Sequence, residues 1–423
     1  MNKSNRGRLF LMMVLEIAIW GAWQIKIFPY MGADMLNFTP GQQAWVVSAF
    51  GIASVVGIFF SSQFADRNFA AERFMAFSHL VGGMALIATA FATTFPVFFS
   101  LFLIYALLYV PTISVSNSLA FANLANPAKD FGFVRMGGTI GWIVVSWPFI
   151  FLLGDQADAS QTRWVFIVAG IISFVLAAYS LTLPHTPPRK DVQGIDRLAW
   201  VKAARLLAVP YVAVLFVVIF IDSVIHNGYF VVIDSFLTHV GISARMTMVV
   251  SSIGQVAEIA TMLILGAVLI RIGWRWTMVI GVLGHATRYA VFAFFGQPEY
   301  AWLIIAIQVL HGICYAFFFA TVYIFVDAVF PKDVRASAQS AANLLILGVG
   351  MFVAGQLFPR LMATFTLPAA TMAGGAAAAT VVDYQKLFLV PTALAILAIL
   401  MLMSFFKPPT ERPEATAVAG GGH

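Results

Sequence analysis

Ser251-Ser252-Ile253-Gly254-Gln255-Val256-Ala257-Glu258-Ile259-Ala260 lies inside an apolar run that extends from about Met246 to Ile270. A helix needs about 20 apolar residues to cross the hydrocarbon core of a bilayer, and this run is long enough. A carboxylate near the middle of such a helix costs roughly 3 kcal/mol on insertion scales, so it is seldom idle. Gln255 and Glu258 are three residues apart, which puts an amide and an acid on one helix face. That face is expected to look inward, at a water-filled path and whatever travels along it.

The rest of the chain is built for the same environment. Of 423 residues, 61% are hydrophobic and only 10% are charged, with a mean hydropathy of +0.91. A soluble domain carries about 25% charged residues, so the composition points to an integral membrane protein. Membrane β-strands alternate apolar and polar residues, whereas apolar runs of helical length recur here, so the spans are expected to be helical. The single cysteine, Cys314, excludes an internal disulfide framework. Met1–Arg8 leads straight into a full-length span without a small-residue cleavage pattern, so no cleavable signal is expected.

Twelve spans can be placed. The first six are expected near Leu9–Tyr30, Gly41–Phe64, Phe74–Thr93, Val97–Phe121, Phe131–Gly154 and Trp164–Leu183. The second six are expected near Val209–His239, Met246–Ile270, Trp276–Gly296, Tyr300–Val329, Ala336–Phe358 and Tyr384–Phe406. Between the sets runs one long polar connector, rich in proline and charge, from Pro184 through Arg205. The expected organisation is an all-α membrane protein in two parallel six-helix repeats: a bundle over 1–183, a linker over 184–207, a bundle over 208–406 and a tail over 407–423.

Charge sets the expected orientation. With the N-terminus in the cytoplasm, 17 of the 24 Lys and Arg residues fall on that side. Only Arg163, Arg245, Arg360 and Lys386 fall on the other. The positive-inside rule then puts both termini in the cytoplasm. This bias accounts for the net charge of +6 without a nucleic-acid partner.

Several polar residues lie at membrane depth. In the first span Glu16, Trp20 and Trp23 share a face. Trp23 and Lys26 can be read either as a cavity wall or as an interfacial belt with a snorkelling lysine; Glu16 is too deep for the belt. The fourth span carries Tyr109, Pro111, Thr112 and Asn117, and the proline frees a carbonyl that needs a protein or water partner. In the fifth, Arg135, Thr139 and Trp142 share a face among glycines that allow close packing, although Arg135 can also serve as an end anchor. The seventh carries Asp222, His226, Asn227, Phe230 and Asp234, the ninth His285 and Arg288, and the tenth Gln308, His311, Tyr315 and Asp327. An isolated helical histidine is more often a packed residue than a proton carrier, and Arg288 can simply be paired with a carboxylate.

No H-E-x-x-H, P-loop or G-x-S-x-G motif occurs, so neither enzyme chemistry nor a cofactor or metal is expected. Without a P-loop, the energy for any transport has to come from an ion gradient or from the substrate's own gradient.

Two loop segments carry a resemblance. Ser62-Gln63-Phe64-Ala65-Asp66-Arg67 follows the second span, and Gly266 through Arg271-Ile272-Gly273-Trp274-Arg275 follows the eighth. Both are similar to the loop motif G-x-x-x-D-R-x-G-x-R of the major facilitator superfamily, and they lie at corresponding places in the two halves. Ser62 and Ile270 stand where the motif has its first Gly and its Asp. The resemblance implies a gating role for Asp66, Arg67, Arg271 and Arg275.

Other segments resemble a narrower group, the bacterial nucleoside:proton symporters. They are Trp20-Gly21-Ala22-Trp23, Tyr30-Met31, Tyr109-Val110-Pro111-Thr112, Asn117-Ser118, Arg135 and Gly138-Thr139-Ile140-Gly141. Leu181-Thr182-Leu183-Pro184-His185, Gln255-Val256-Ala257-Glu258, Arg288 and Arg335-Ala336-Ser337-Ala338-Gln339 continue the match in order along the chain.

The resemblance implies a monomeric permease of a bacterial inner membrane, embedded in lipid and importing nucleosides with protons. It implies a substrate pocket that uses Arg135 and Thr139 of the fifth span and Gln255 and Glu258 of the eighth, with Asn227 of the seventh supplying an amide and Phe230 replacing a second one. Ala316 stands where the family pattern has an Asp, so coupling through another acid, or uncoupled diffusion, remains open. A nucleoside presents a flat base and ribose hydroxyls, which suits aromatic faces and neutral amides. Trp20, Trp23, Tyr109, Trp142, Phe230 and Tyr315 offer such faces, and Thr112 and Asn117 add polar candidates. Some of these aromatics can equally be interior packing. Glu258, then Glu16, then Asp234 are the candidate proton carriers. The alternative cargo is a sugar or another small polar metabolite, because one fold hosts many substrates.

Overall fold

The hydrocarbon core leaves a spanning backbone little choice but to bond within its own helix, and the described residues of this chain are mostly helical. A computed structural model describes residues 4–60, 68–188, 207–330, 332–367 and 381–408. The first long helices are α1 (Ser4–Trp23), α2 (Pro40–Phe60), α3 (Ala71–Thr89), α4 (Phe95–Asn123), α5 (Pro127–Ser146) and α6 (Trp164–Ser180). Then follow α7 (Pro210–His239) and one continuous stretch, Thr247–Phe294, made of α8 (247–272) and α9 (274–294). The last are α10 (Pro298–Val329), α11 (Lys332–Asn343, running on to Gly350–Thr364) and α12 (Tyr384–Phe405). Among the described residues twelve spans result, so Ser4 and Pro408 lie at one face, here the terminal face; the other is the far face. Between α11 and α12, β1 (Thr366–Leu367) pairs antiparallel with β2 (Val381–Val382).

The turn between α8 and α9 is shorter than the sequence suggests. Only Gly273 leaves helical geometry, at φ 76°, a conformation that costs glycine nothing because it has no Cβ. Exposed Arg271 and half-buried Arg275 flank it. Asp66 and Arg67 lie outside the described residues, as does most of the connector, 189–206.

Each set of six helices packs in the same pattern. In the first, α1 lies on α5 and α6, α2 on α4, and α3 on α4 and α6. In the second, α7 lies on α11 and α12, while the α8–α9 hairpin lies on α10 and α12. Small residues permit this closeness. Gly141 of α5 lies against the Val14 carbonyl of α1, and Gly312 of α10 lies against the backbone of Glu258. The sets meet along two seams, α2 on α11 and α5 on α8. In the first seam, a Cβ on Gly51 would come within 2.6 Å of the Phe352 nitrogen.

The polar ties between the sets sit at mid-membrane and toward the far face. Gln356 Nε2 donates to Ser48 Oγ at 2.8 Å and to the Ala44 carbonyl at 3.2 Å. Ser48 Oγ donates to the Phe352 carbonyl at 3.1 Å. Beyond them, Lys26 Nζ lies 2.8 Å from Asp234 Oδ1 and donates to the Ala244 carbonyl at 2.7 Å. Thr247 also donates to Asp234. The Lys26 and Asp234 side chains are only 3% and 5% exposed. Lys26 is therefore a buried ion-pair partner and not a snorkelling interfacial anchor. At the rim, the Ala244 amide donates to the Asp155 carbonyl at 3.0 Å, and Arg245 pairs with the Asp155 carboxylate at 2.8 Å.

Removing one member of a buried pair strands the other charge, at a cost of about 3–5 kcal/mol. Lys26→Met should therefore lower the melting temperature in detergent by several degrees, and Lys26→Met/Asp234→Leu should recover most of that loss. Additive losses in the double variant would show that the pair does not hold the far face together.

Candidate functional site

At mid-membrane the two seams separate enough to leave polar side chains half-exposed. Thr139 on α5 donates its hydroxyl to Glu258 Oε1 on α8 at 3.3 Å, joining the two helix sets. One turn nearer the terminal face, the Arg135 guanidinium is within electrostatic reach of Glu258, Tyr315 and Tyr323. All five of these residues are half-buried. Gln255, one turn from Glu258 toward the far face, is buried, and its Oε1 has no hydrogen-bond partner. An unmet acceptor of this kind costs about 1–3 kcal/mol, and a water or a ligand donor can satisfy it.

Aromatic rings cap the site on its far side. Trp142 and Phe230 approach across the two sets at 5.5 Å between centroids, Trp20 meets Trp142 at 5.9 Å, and Trp20 stacks on Phe50 at 5.0 Å. Asn227 turns its amide nitrogen away from the gap, donating to the Ser223 and Ile346 carbonyls at 2.8 and 3.1 Å. A small cavity above this plate is lined by Trp23, Gln24, Phe50, Asn227, Phe230 and Met351. Arg135, Thr139, Trp142, Phe230, Gln255, Glu258 and Tyr315 are thus brought to one region between the two sets, with Trp20 and Asn227 at its edge.

Other sequence candidates lie elsewhere. Glu16 is fully buried inside the first set, where it accepts from Thr112 at 2.6 Å and meets His79 Nε2 at 2.9 Å. Tyr109 donates to the Glu16 backbone carbonyl at 2.6 Å, and Trp23 donates to Tyr105 at 3.0 Å. These six residues form a polar seam among α1, α3 and α4, apart from the Thr139–Glu258 level. Asn117 is half-buried farther along α4, and Asp234 belongs to the far-face pair.

Three residues were not singled out from sequence: His79, Tyr323 and Asn343. Tyr323 donates to Asn343 Oδ1 at 2.6 Å, linking α10 to α11 beside Arg135. The spacing from Tyr315 to Tyr323 does not suit one face of a regular α-helix. Residues Tyr315–Ala320 form a π turn, however, and its wider winding absorbs about one residue and brings Tyr323 round. A second π turn, Leu344–Val349, follows Asn343 in α11. Asn343 itself was visible as an amide within an apolar run.

The site is an amide, an acid, a guanidinium and hydroxyls beside flat aromatic faces, held across two separable halves. It contains no nucleophile–base pair, and among the described residues no group of three His, Cys, Asp or Glu side chains is arranged to hold a metal ion. Comparison with known proteins is consistent with this. The family model described as "Nucleoside H+ symporter" matches residues 2–411. The chain belongs to this family. It is a membrane transporter with the major facilitator fold, and not an enzyme.

Among its relatives in this family, the putative nucleoside transporter YegT of Escherichia coli (strain K12) is 31% identical over 363 residues, 83% of each chain. The xanthosine permease of the same organism is 28% identical over 368 residues, covering 82% of this chain and 85% of that one. The crystal structure of the nucleoside transporter NupG superposes with a TM-score of 0.81 at 22% identity, over 97% of this chain and all of that one. That last likeness establishes the fold.

Removing an unsatisfied buried acceptor should not harm folding. Gln255→Leu is expected to keep or raise the melting temperature of the ligand-free protein in detergent. A clear drop would mean that Gln255 is already paired and serves packing.

Proposed function

We infer that this protein imports nucleosides together with protons by alternating access. The hydrogen bond between Thr139 and Glu258 carries the reading, because it joins polar side chains of the two helix sets across the line where those sets part. Each set, 1–183 and 208–406, moves as a unit on either side of that line. The chain acts as a monomer in a bacterial inner membrane. Its Lys and Arg bias puts both termini in the cytoplasm, so the terminal face is inside and the far face outside.

With Lys26–Asp234 and the α2–α11 contacts joined, the outer side is closed. A nucleoside fits the gap chemically. Its base lies against Trp142, Phe230 or Tyr315, and an N–H of the base supplies the donor that Gln255 Oε1 lacks. Ribose hydroxyls donate to Glu258 and meet Thr139 and Arg135. Such a ligand replaces the direct Thr139–Glu258 bond and is gripped from both halves. Glu258 has a second role: at mid-membrane it crosses between the two states more cheaply when protonated than when ionised. Substrate and proton therefore meet on one carboxylate.

An uncoupled nucleoside facilitator is the second reading, favoured by Ala316 where the family pattern has an Asp. Uptake of radiolabelled uridine and adenosine into proteoliposomes, with and without a protonophore, separates the two. Coupled import accumulates label against its gradient and stops with the protonophore; a facilitator only equilibrates. Glu258→Gln should abolish pH-gradient-driven accumulation, and undiminished accumulation would reject its coupling role. Nucleosides, and not sugars, should raise the melting temperature of the purified protein, since a ligand of the folded form stabilises it.

A further inference from the structure

Behind the substrate site, enclosed by α7, α8, α9 and α10, lies a second group of ionisable side chains that the reading above leaves unused. Asp222 on α7 and His285 on α9 are fully buried and joined, Oδ1 to Nδ1, at 2.8 Å. Arg288, also fully buried, donates from Nη1 to His311 Nδ1 at 2.7 Å and stacks its guanidinium 4.2 Å over the Tyr229 ring. His226 lies between them, with its ring 4.9 Å from that of His311 and 5.8 Å from that of His285. Three histidines, one acid and one arginine in a single enclosed interior are not explained by packing alone.

Donor and acceptor rules fix where a proton can go. Arg288 can only donate, so His311 Nδ1 is an acceptor, and His311 stays neutral while that bond lasts. Asp222, ionised, can only accept, so the hydrogen between it and His285 sits on His285 Nδ1. His285 Nε2 is then the nitrogen with an open lone pair, and it has no hydrogen-bond partner. The ring also interacts with the thiol of Cys314 on α10, a weak hydrogen-bonding group. Asp222 Oδ2, His226 Nδ1 and Arg288 Nε and Nη2 are likewise buried and unpartnered. Buried polar atoms are nearly always satisfied, so this concentration marks a place for internal water or a mobile proton.

The group adjoins the substrate site. His226 is 6.1 Å from the Tyr315 ring and 5.5 Å from that of Phe230. Gly254, the residue before Gln255, packs against His311, where a Cβ would come within 2.8 Å. Besides the groups already named, Tyr229 and Tyr289 face Arg288, and Glu258 is the acid on the neighbouring face of α8.

We propose that His285, with Asp222 as its buried counter-charge, is a second proton-holding site of the transport cycle, reached from the substrate site through His226. The proton binds at His285 Nε2 while Nδ1 stays bonded to Asp222, and it leaves by the same nitrogen. The imidazolium–carboxylate pair is neutral overall, so it can survive in the interior. The proposal rests on the proton-coupled reading of the protein, and its test distinguishes failure of the two.

Two assays in proteoliposomes are compared: uridine accumulation driven by a pH gradient, and counterflow exchange against preloaded unlabelled uridine, which needs no net proton movement. Wild-type protein must first show both; exchange without accumulation would overturn the coupled reading and this proposal with it. His285→Gln and Asp222→Asn should each cut accumulation by about tenfold or more while leaving exchange near wild type. Retained accumulation, or loss of exchange in parallel with accumulation, would overturn the proposal. If both variants fail to fold, His226→Gln, which removes no ion pair, should slow pH-driven accumulation at normal exchange; unchanged accumulation overturns the route.

Discussion

A polar side chain in the membrane interior must find a partner or water, and this constraint sorts every charged residue at depth into one of a few arrangements. Glu16 is closed off with Thr112 and His79, and Lys26 with Asp234. Arg288 spreads its charge over His311 and the Tyr229 ring. Arg135, Thr139 and Glu258 instead remain half-exposed where the two helix sets part. Side chains that stay incompletely partnered at mid-membrane are the ones able to take hold of a passing solute.

Alternating access needs an interface that closes well and opens without tearing the helices. The α2–α11 seam has that character. Backbones approach closely at Gly51, while Ser48 and Gln356 supply a few neutral hydrogen bonds that water can replace. The buried Lys26–Asp234 pair is different, because each charge needs the other or water.

Inside each half, helices approach as closely. Gly141 against Val14 and Gly312 against Glu258 leave no room for a side chain. The Gly312 contact also fixes the backbone that carries Glu258. The π turns in α10 and α11 sit beside this region and set the azimuth of Tyr323 and the residues that follow.

The sequence alone determined the membrane class, the twelve spans, the repeat of six and the family, because apolar run length, charge bias and ordered short segments are local properties of the chain. It also brought Gln255 and Glu258 to one face, and Arg135 and Thr139 to another, by helical spacing. Whether such faces meet depends on how helices pack, which no local pattern records. Only the tertiary structure joined Thr139 to Glu258, sank Glu16 and Thr112 into their own bundle, and paired Lys26 with Asp234 some 200 positions away. Only the structure revealed the π turn that redirects Tyr323, since a single inserted residue leaves no compositional trace. In a low-dielectric interior the energy of a polar side chain is set by its neighbours in space, and so its role is too.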